Sequence, residues 1–75
     1  MDKLLNILNE IDESIDWEAE KSLIDDRLLD SFGVITLVSE LEEQFSVEID
    51  GAELVPENFN SAAAIYKMIQ RLQEK

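Results

Sequence analysis

Three stretches of the chain repeat apolar residues at helical spacing. Leu4, Ile7, Leu8, Ile11 and Ile15 stand at offsets of i, i+3, i+4, i+7 and i+11, along one side of a helix. Val34, Leu37, Val38, Leu41 and Phe45 repeat the same offsets, and Ala62, Ile65, Ile69 and Leu72 form a third stripe flanked by Tyr66 and Met68. The spacing predicts helices over 2–15, 31–45 and 61–73. No such helix can bury its stripe alone, so the pattern predicts an all-α bundle, one domain over residues 1–75.

The two connections differ in character. Residues 16–30 form a long link with Trp17, Leu23, Ile24, Leu28 and Leu29 scattered along it. A loop of that length inside a compact domain is expected to be packed down by its own apolar side chains, or to be functional. Residues 46–60 contain Gly51 and Pro56, with Val47 and Ile49 alternating as in a short extended stretch. Pro56 suits the first turn of a brief helix ending near Phe59, and Asn60 or Ser61 suits the N-cap of the last helix.

Composition narrows the function. A hydrophobic fraction of 45% argues for a folded chain despite a net charge of -12, from 18 acids against 6 bases. The absence of Cys excludes disulfides and thiolate metal sites, and the absence of His removes the commonest general base, so catalysis by the bare polypeptide is not expected. The charge repels nucleic acid and anionic lipid and favours basic protein surfaces. No apolar run reaches membrane-spanning length, and the start lacks the marks of a signal peptide, so cytoplasmic residence is expected. An EF-hand begun at Asp12 fails, because Trp17 takes the glycine position and Leu23 the position of the closing acid. No metal site is expected.

Charge is also unevenly placed. Residues 28–60 hold no Lys or Arg, whereas Lys67, Arg71 and Lys75 recur along the last helix, where cations complement the dipole. Within the cation-free stretch lies Leu28-Leu29-Asp30-Ser31-Phe32-Gly33, directly before the second stripe. Here a serine stands where a long loop turns into a helix. Asp30 suits the first free backbone N–H groups, and the helix end would favour a phosphate on the Ser31 hydroxyl. Leu29 and Phe32 are read as apolar surface that a partner enzyme grips. Gly33 costs about 1 kcal/mol against Ala in a helix; a close approach beside a bound group and a plain entry bend both explain it. An Asp-Ser pair before a helix is also an everyday cap, and without His the serine lacks a conventional activating base.

The stretch IDDRLLDSFGVITLVSELEEQF resembles the acyl and peptidyl carrier-protein family, whose signature is Asp-Ser-Leu or a close variant at the start of its second helix. The resemblance continues through VEIDGAELVPENFNSAAAI and, with the first helix, covers nearly the whole chain. It implies a bundle of three longer helices plus one short helix, the short piece lying between 50 and 59. It implies a 4′-phosphopantetheine arm transferred from coenzyme A to Ser31 by a phosphopantetheinyl transferase, which supplies the base and Mg²⁺. Asp30 is implied to orient Ser31 and to assist metal binding during that transfer. The thiol of the arm would hold an acyl or aminoacyl group as a thioester, loaded by an adenylating or acyl-loading enzyme and passed to downstream transferases. Phe32 replaces the commoner leucine and keeps an apolar contact. Gly33 and Thr36 are neutral where fatty-acid carriers bear acids, and acid appears only at Glu40, Glu42 and Glu43, read as partner-docking residues. That departure, with the Asp-Ser-Phe-Gly and Pro-Glu-Asn-Phe stretches, leans toward a discrete aminoacyl or specialised-pathway carrier, including the D-alanyl kind; a monomer is expected. Two rivals lack a prosthetic group: an acidic helical adaptor, and an inhibitor that mimics nucleic acid. Both leave the Leu-Asp-Ser-Phe junction unexplained.

Overall fold

The computed structural model describes residues 2–74. Its elements are α1 (Asp2–Ile11), α2 (Ser31–Phe45), a 3₁₀ turn (Gly51–Glu53), α3 (Pro56–Phe59) and α4 (Ala62–Gln73). The all-α bundle is therefore as the stripes predict, with α1 on α2, α3 on α4, and both α1 and α2 reaching α4. Leu4 and Leu8 of α1 meet Leu37 and Leu41 of α2 and Ile65, Met68 and Ile69 of α4 in one core, with Phe59 closing it from α3. Met68, on the flank of its stripe by sequence, is fully inside.

The first helix stops four residues earlier than its stripe suggests. Asp12 N–H still bonds the Leu8 carbonyl at 3.1 Å. The Asp12 carboxylate then accepts the Ser14 hydroxyl at 2.6 Å and the Ser14 N–H at 3.0 Å, closing a local turn that competes with the helix. These bonds, the hydroxyl's first, hold the exposed Asp12 carboxyl below its usual range. Ile15 reaches the core edge from this turn rather than from a helical face. Trp17 is buried beyond it, its indole Nε1–H donating to the Asp12 carbonyl at 3.0 Å.

Helix α2 runs over the predicted residues and ends at Ser46 in the left-handed region, φ 53° and ψ 47°. Lys3 donates to the Gln44 carbonyl at 2.5 Å and lies 5.1 Å from the Phe45 ring centroid, so a cation from α1 serves the negative end of α2. Glycine is the residue that tolerates this left-handed cap at no steric cost. Ser46→Gly is expected to raise stability by about 0.5–1 kcal/mol. A urea midpoint that fails to rise would contradict the cap geometry.

The segment after α2 departs from expectation in detail. Val47 and Ile49 do alternate inward, with Glu48 and Asp50 exposed, and the Ile49 N–H donates to Glu42 Oε2 at 2.9 Å. The expected single short helix is two pieces. Asp50 caps the 3₁₀ turn through the Ala52 N–H, and Pro56 opens α3, where its missing N–H costs nothing. Arg71 grips Glu53 with both arms of its guanidinium, at 2.9 and 2.6 Å, tying the 3₁₀ turn to α4. That pairing pushes the Arg71 pKa further up, so this member of the basic row has a specific partner as well as the dipole. Lys75, the last of the row, lies outside the described residues.

Candidate functional site

The loop before α2 is built from local turns and then fastened down. The Asp26 N–H bonds the Ser22 carbonyl at 2.7 Å and the Arg27 N–H bonds Ile24 at 3.0 Å. The Leu23 carbonyl accepts both the Leu28 N–H at 2.9 Å and the Leu29 N–H at 3.0 Å. With Arg27 at φ 60°, this is the bonding pattern by which a helical turn reverses through a left-handed residue. The reversal faces Leu28 outward and Leu29 into the core, 41% and 4% exposed.

Leu29 therefore cannot be the docking surface the sequence suggested. Next to the serine in the chain, it is core in space. Phe32 is 82% exposed, and the sequence missed its companion Ile35, 65% exposed one turn along the helix. Such outward apolar residues on α2 are the signal that the stripe of Val34, Leu37 and Val38 had hidden, because Ile35 falls among them.

Asn60 does what no apolar residue of the loop can do. Its carbonyl accepts the Leu23 N–H at 2.9 Å. Its side-chain oxygen accepts the Ile24 and Asp25 N–H groups at 3.0 and 3.3 Å, and its amide donates to the Asp25 carboxylate at 3.3 Å. Ser61, not Asn60, caps α4, accepting the Ala64 N–H at 3.0 Å. Asn60 is thus the polar staple of the loop, joining residues 35 and 36 positions apart. Trp17, Leu23 and Leu29 bury the apolar side of the same loop.

The start of α2 follows from this anchoring. Asp30 is extended, φ -87° and ψ -177°, and its Oδ1 accepts the Gly33 N–H at 2.8 Å while its carbonyl accepts the Val34 N–H at 2.9 Å. Ser31 is the first residue of the helix and its side chain is exposed. A Cβ on Gly33 would sit 2.9 Å from Leu29 Cδ1 and 3.3 Å from Asp30 Oδ1. The glycine thus answers a close approach, made by the Leu29 side chain and the cap beneath the helix.

Two hollows flank this helix start. One, of about 510 Å³, is walled by Ile24, Leu29, Val34 and Ile35, with Arg27, Asp30 and Ser31 bringing the polar groups. The other, of about 450 Å³, takes in Phe32, Gly33 and Thr36 with Glu10, Ile11 and Glu40. The three predicted docking glutamates are placed differently. Glu40 joins this second hollow and Glu43 is exposed, whereas Glu42 is half-buried and occupied with the Ile49 N–H.

A family model described as a phosphopantetheine attachment site matches residues 2–69. The chain belongs to that family. A D-alanyl carrier protein of Streptococcus suis (strain 05ZYH33) is 31% identical over 70 residues, which cover 92% of this chain and 89% of that protein. The family consists of non-catalytic carriers with a covalently attached 4′-phosphopantetheine, so the readings as an adaptor or nucleic-acid mimic without a prosthetic group are set aside. When attached, the group supplies a thiol on a flexible chain, a function this Cys-free polypeptide lacks. The residues present fit such a group. An exposed hydroxyl stands at a capped helix start, beside a hollow with mainly apolar walls and one cation. Among the described residues no helix is long and apolar enough to cross a membrane.

Proposed function

We propose that Ser31 is the residue that carries the arm, and that the arm's thiol holds an aminoacyl or acyl group as a thioester for partner enzymes. The observation that carries this reading is the exposed Ser31 hydroxyl at the first position of α2, beside the Asp30 cap. Three of the five other serines serve other ends: Ser14 bonds Asp12, Ser61 caps α4, and Ser46 turns the chain at the end of α2, while Ser39 lies within α2 rather than at its start. In the transfer, the Ser31 oxygen bonds to the phosphorus that bears pantetheine in coenzyme A. The bond from that phosphorus to the adenylate half breaks, adenosine bisphosphate leaves, and the hydroxyl proton goes to a base of the transferase. Asp30 orients the serine through the cap, and Phe32, with Glu40 and Glu43, offers partners an aromatic contact beside negative charge.

The cargo is an amino acid of the D-alanyl kind, delivered by an adenylating enzyme and consumed by a downstream transferase in the cytoplasm. Likeness to the streptococcal D-alanyl carrier supports this, as do the neutral Gly33 and Thr36 after the serine. The test is intact-mass measurement after incubation with coenzyme A, Mg²⁺ and a broad-specificity transferase. Gain of one phosphopantetheine, placed on Ser31 by fragmentation, is expected; a gain elsewhere, or none, refutes the assignment. Loading of the product with D-alanine against L-amino and fatty acids then fixes the cargo.

A further inference from the structure

Arg27 is the only cation between residues 22 and 66, and it shares the wall of the hollow that holds Ser31. It is exposed, and among the described residues the ion pair within bonding distance joins Arg71 to Glu53, leaving the Arg27 guanidinium unpaired. The Asp25 carboxylate takes the Asn60 amide and the Asp30 carboxylate takes the Gly33 N–H, while Asp12, Asp16 and Glu20, which border a second hollow with Arg27, lie beyond ion-pair distance from it. The turn itself does not ask for arginine, since at φ 60° glycine would be the easier residue. What remains is a guanidinium without an ion pair that borders both the space next to the serine and the hollow with Asp12, Asp16 and Glu20.

We infer that Arg27 pairs with the phosphodiester of the arm and thereby lays the pantetheine chain into the hollow walled by Ile24, Leu29, Val34 and Ile35. The inference rests on Ser31 being the attachment residue. A phosphodiester bears one negative charge near neutral pH, and a guanidinium meets two phosphate oxygens in a matched fork. Residues 28–60, which surround Ser31, offer the phosphate no other cation, and the chain as a whole carries a net charge of -12. The hollow on the Phe32 side brings Glu10 and Glu40 instead, so charge selects between the two sides of the helix start. The tether holds phosphate close to Arg27 at high effective concentration, so a pair that is weak between free molecules is populated here.

The experiment compares apo and holo forms of the full chain by amide NMR, for the natural sequence, Arg27→Gln and Arg27→Gly. The glycine variant removes the cation while easing the backbone, so it retains the fold. In the natural chain, modification is expected to shift the amides of Ile24, Val34 and Ile35 as well as those of 30–32. In both variants the shifts at Ile24, Val34 and Ile35 should fall about two- to fivefold, while those at 30–32 persist. Raising the salt should diminish them in the natural chain alone. Equal shifts in all three proteins, or shifts confined to 30–32 in the natural chain, overturn the role of Arg27. If the natural chain gains no phosphopantetheine mass, the attachment reading fails and this inference with it. A mass gain with an unresponsive hollow sinks the inference alone.

Discussion

A Ser31→Ala chain, treated with coenzyme A, Mg²⁺ and a broad-specificity transferase, keeps its original mass while folding as the natural protein does. The side chain is exposed at the first position of α2, and the cap is made by Asp30 instead. Alanine is at least as good a helix former there, so the stability change should stay within about 0.5 kcal/mol. Unchanged helicity and an unchanged thermal midpoint then establish that the missing oxygen, not a damaged fold, prevents modification. Asp30→Ala supplies the contrast. It keeps the hydroxyl but leaves the Gly33 N–H without its acceptor, costing about 1 kcal/mol of stability and slowing modification without abolishing it. Full modification of the Ser31→Ala chain would refute the assignment outright.

Phe59→Ala is the substitution expected to do the most structural damage. Phe59 is 1% exposed, at the end of a four-residue helix that could not persist in isolation. Removing a buried phenyl ring costs about 3–5 kcal/mol through lost transfer energy and the cavity left behind. A domain of this size has roughly 4–11 kcal/mol to lose. The variant should therefore be largely unfolded, or close to it, in far-UV dichroism at physiological temperature. Phe32→Ala, at a ring 82% exposed, should move stability by no more than about 0.5 kcal/mol. A Phe59→Ala loss below about 1 kcal/mol would contradict the packing described. The damage reaches the site because Asn60, next in the chain, holds the loop that leads to Ser31.

The parts of this fold legible in the sequence are those with local causes. The apolar stripe of α2, the proline opening α3 and the serine capping α4 each act over a few residues, and each is where the pattern places it. Helix α1 misled because Ile15 continues its period while the Asp12 turn breaks the backbone first. Periodicity records side-chain spacing and is blind to a carboxylate competing for N–H groups. Leu29 misled for a related reason. Its neighbour in sequence is exposed, but the left-handed residue at Arg27 sets which of Leu28 and Leu29 faces in. From the sequence Asn60 offers only a cap, because its partners are 35 to 37 residues away and no local rule reaches that far. That a serine stands where the loop turns into α2 is legible from the string around it; the loop architecture that exposes it is not.

The chain's sole tryptophan sits in the loop that ends at Asp30 and Ser31, 2% exposed and with its indole N–H bonded. An indole shielded in this way emits at shorter wavelength than one in water. The molecule thus has a built-in optical gauge: lifting of the loop shows as a red shift without any attached dye. Spectra recorded while a transferase engages the protein would tell whether the segment stays seated during transfer of the arm.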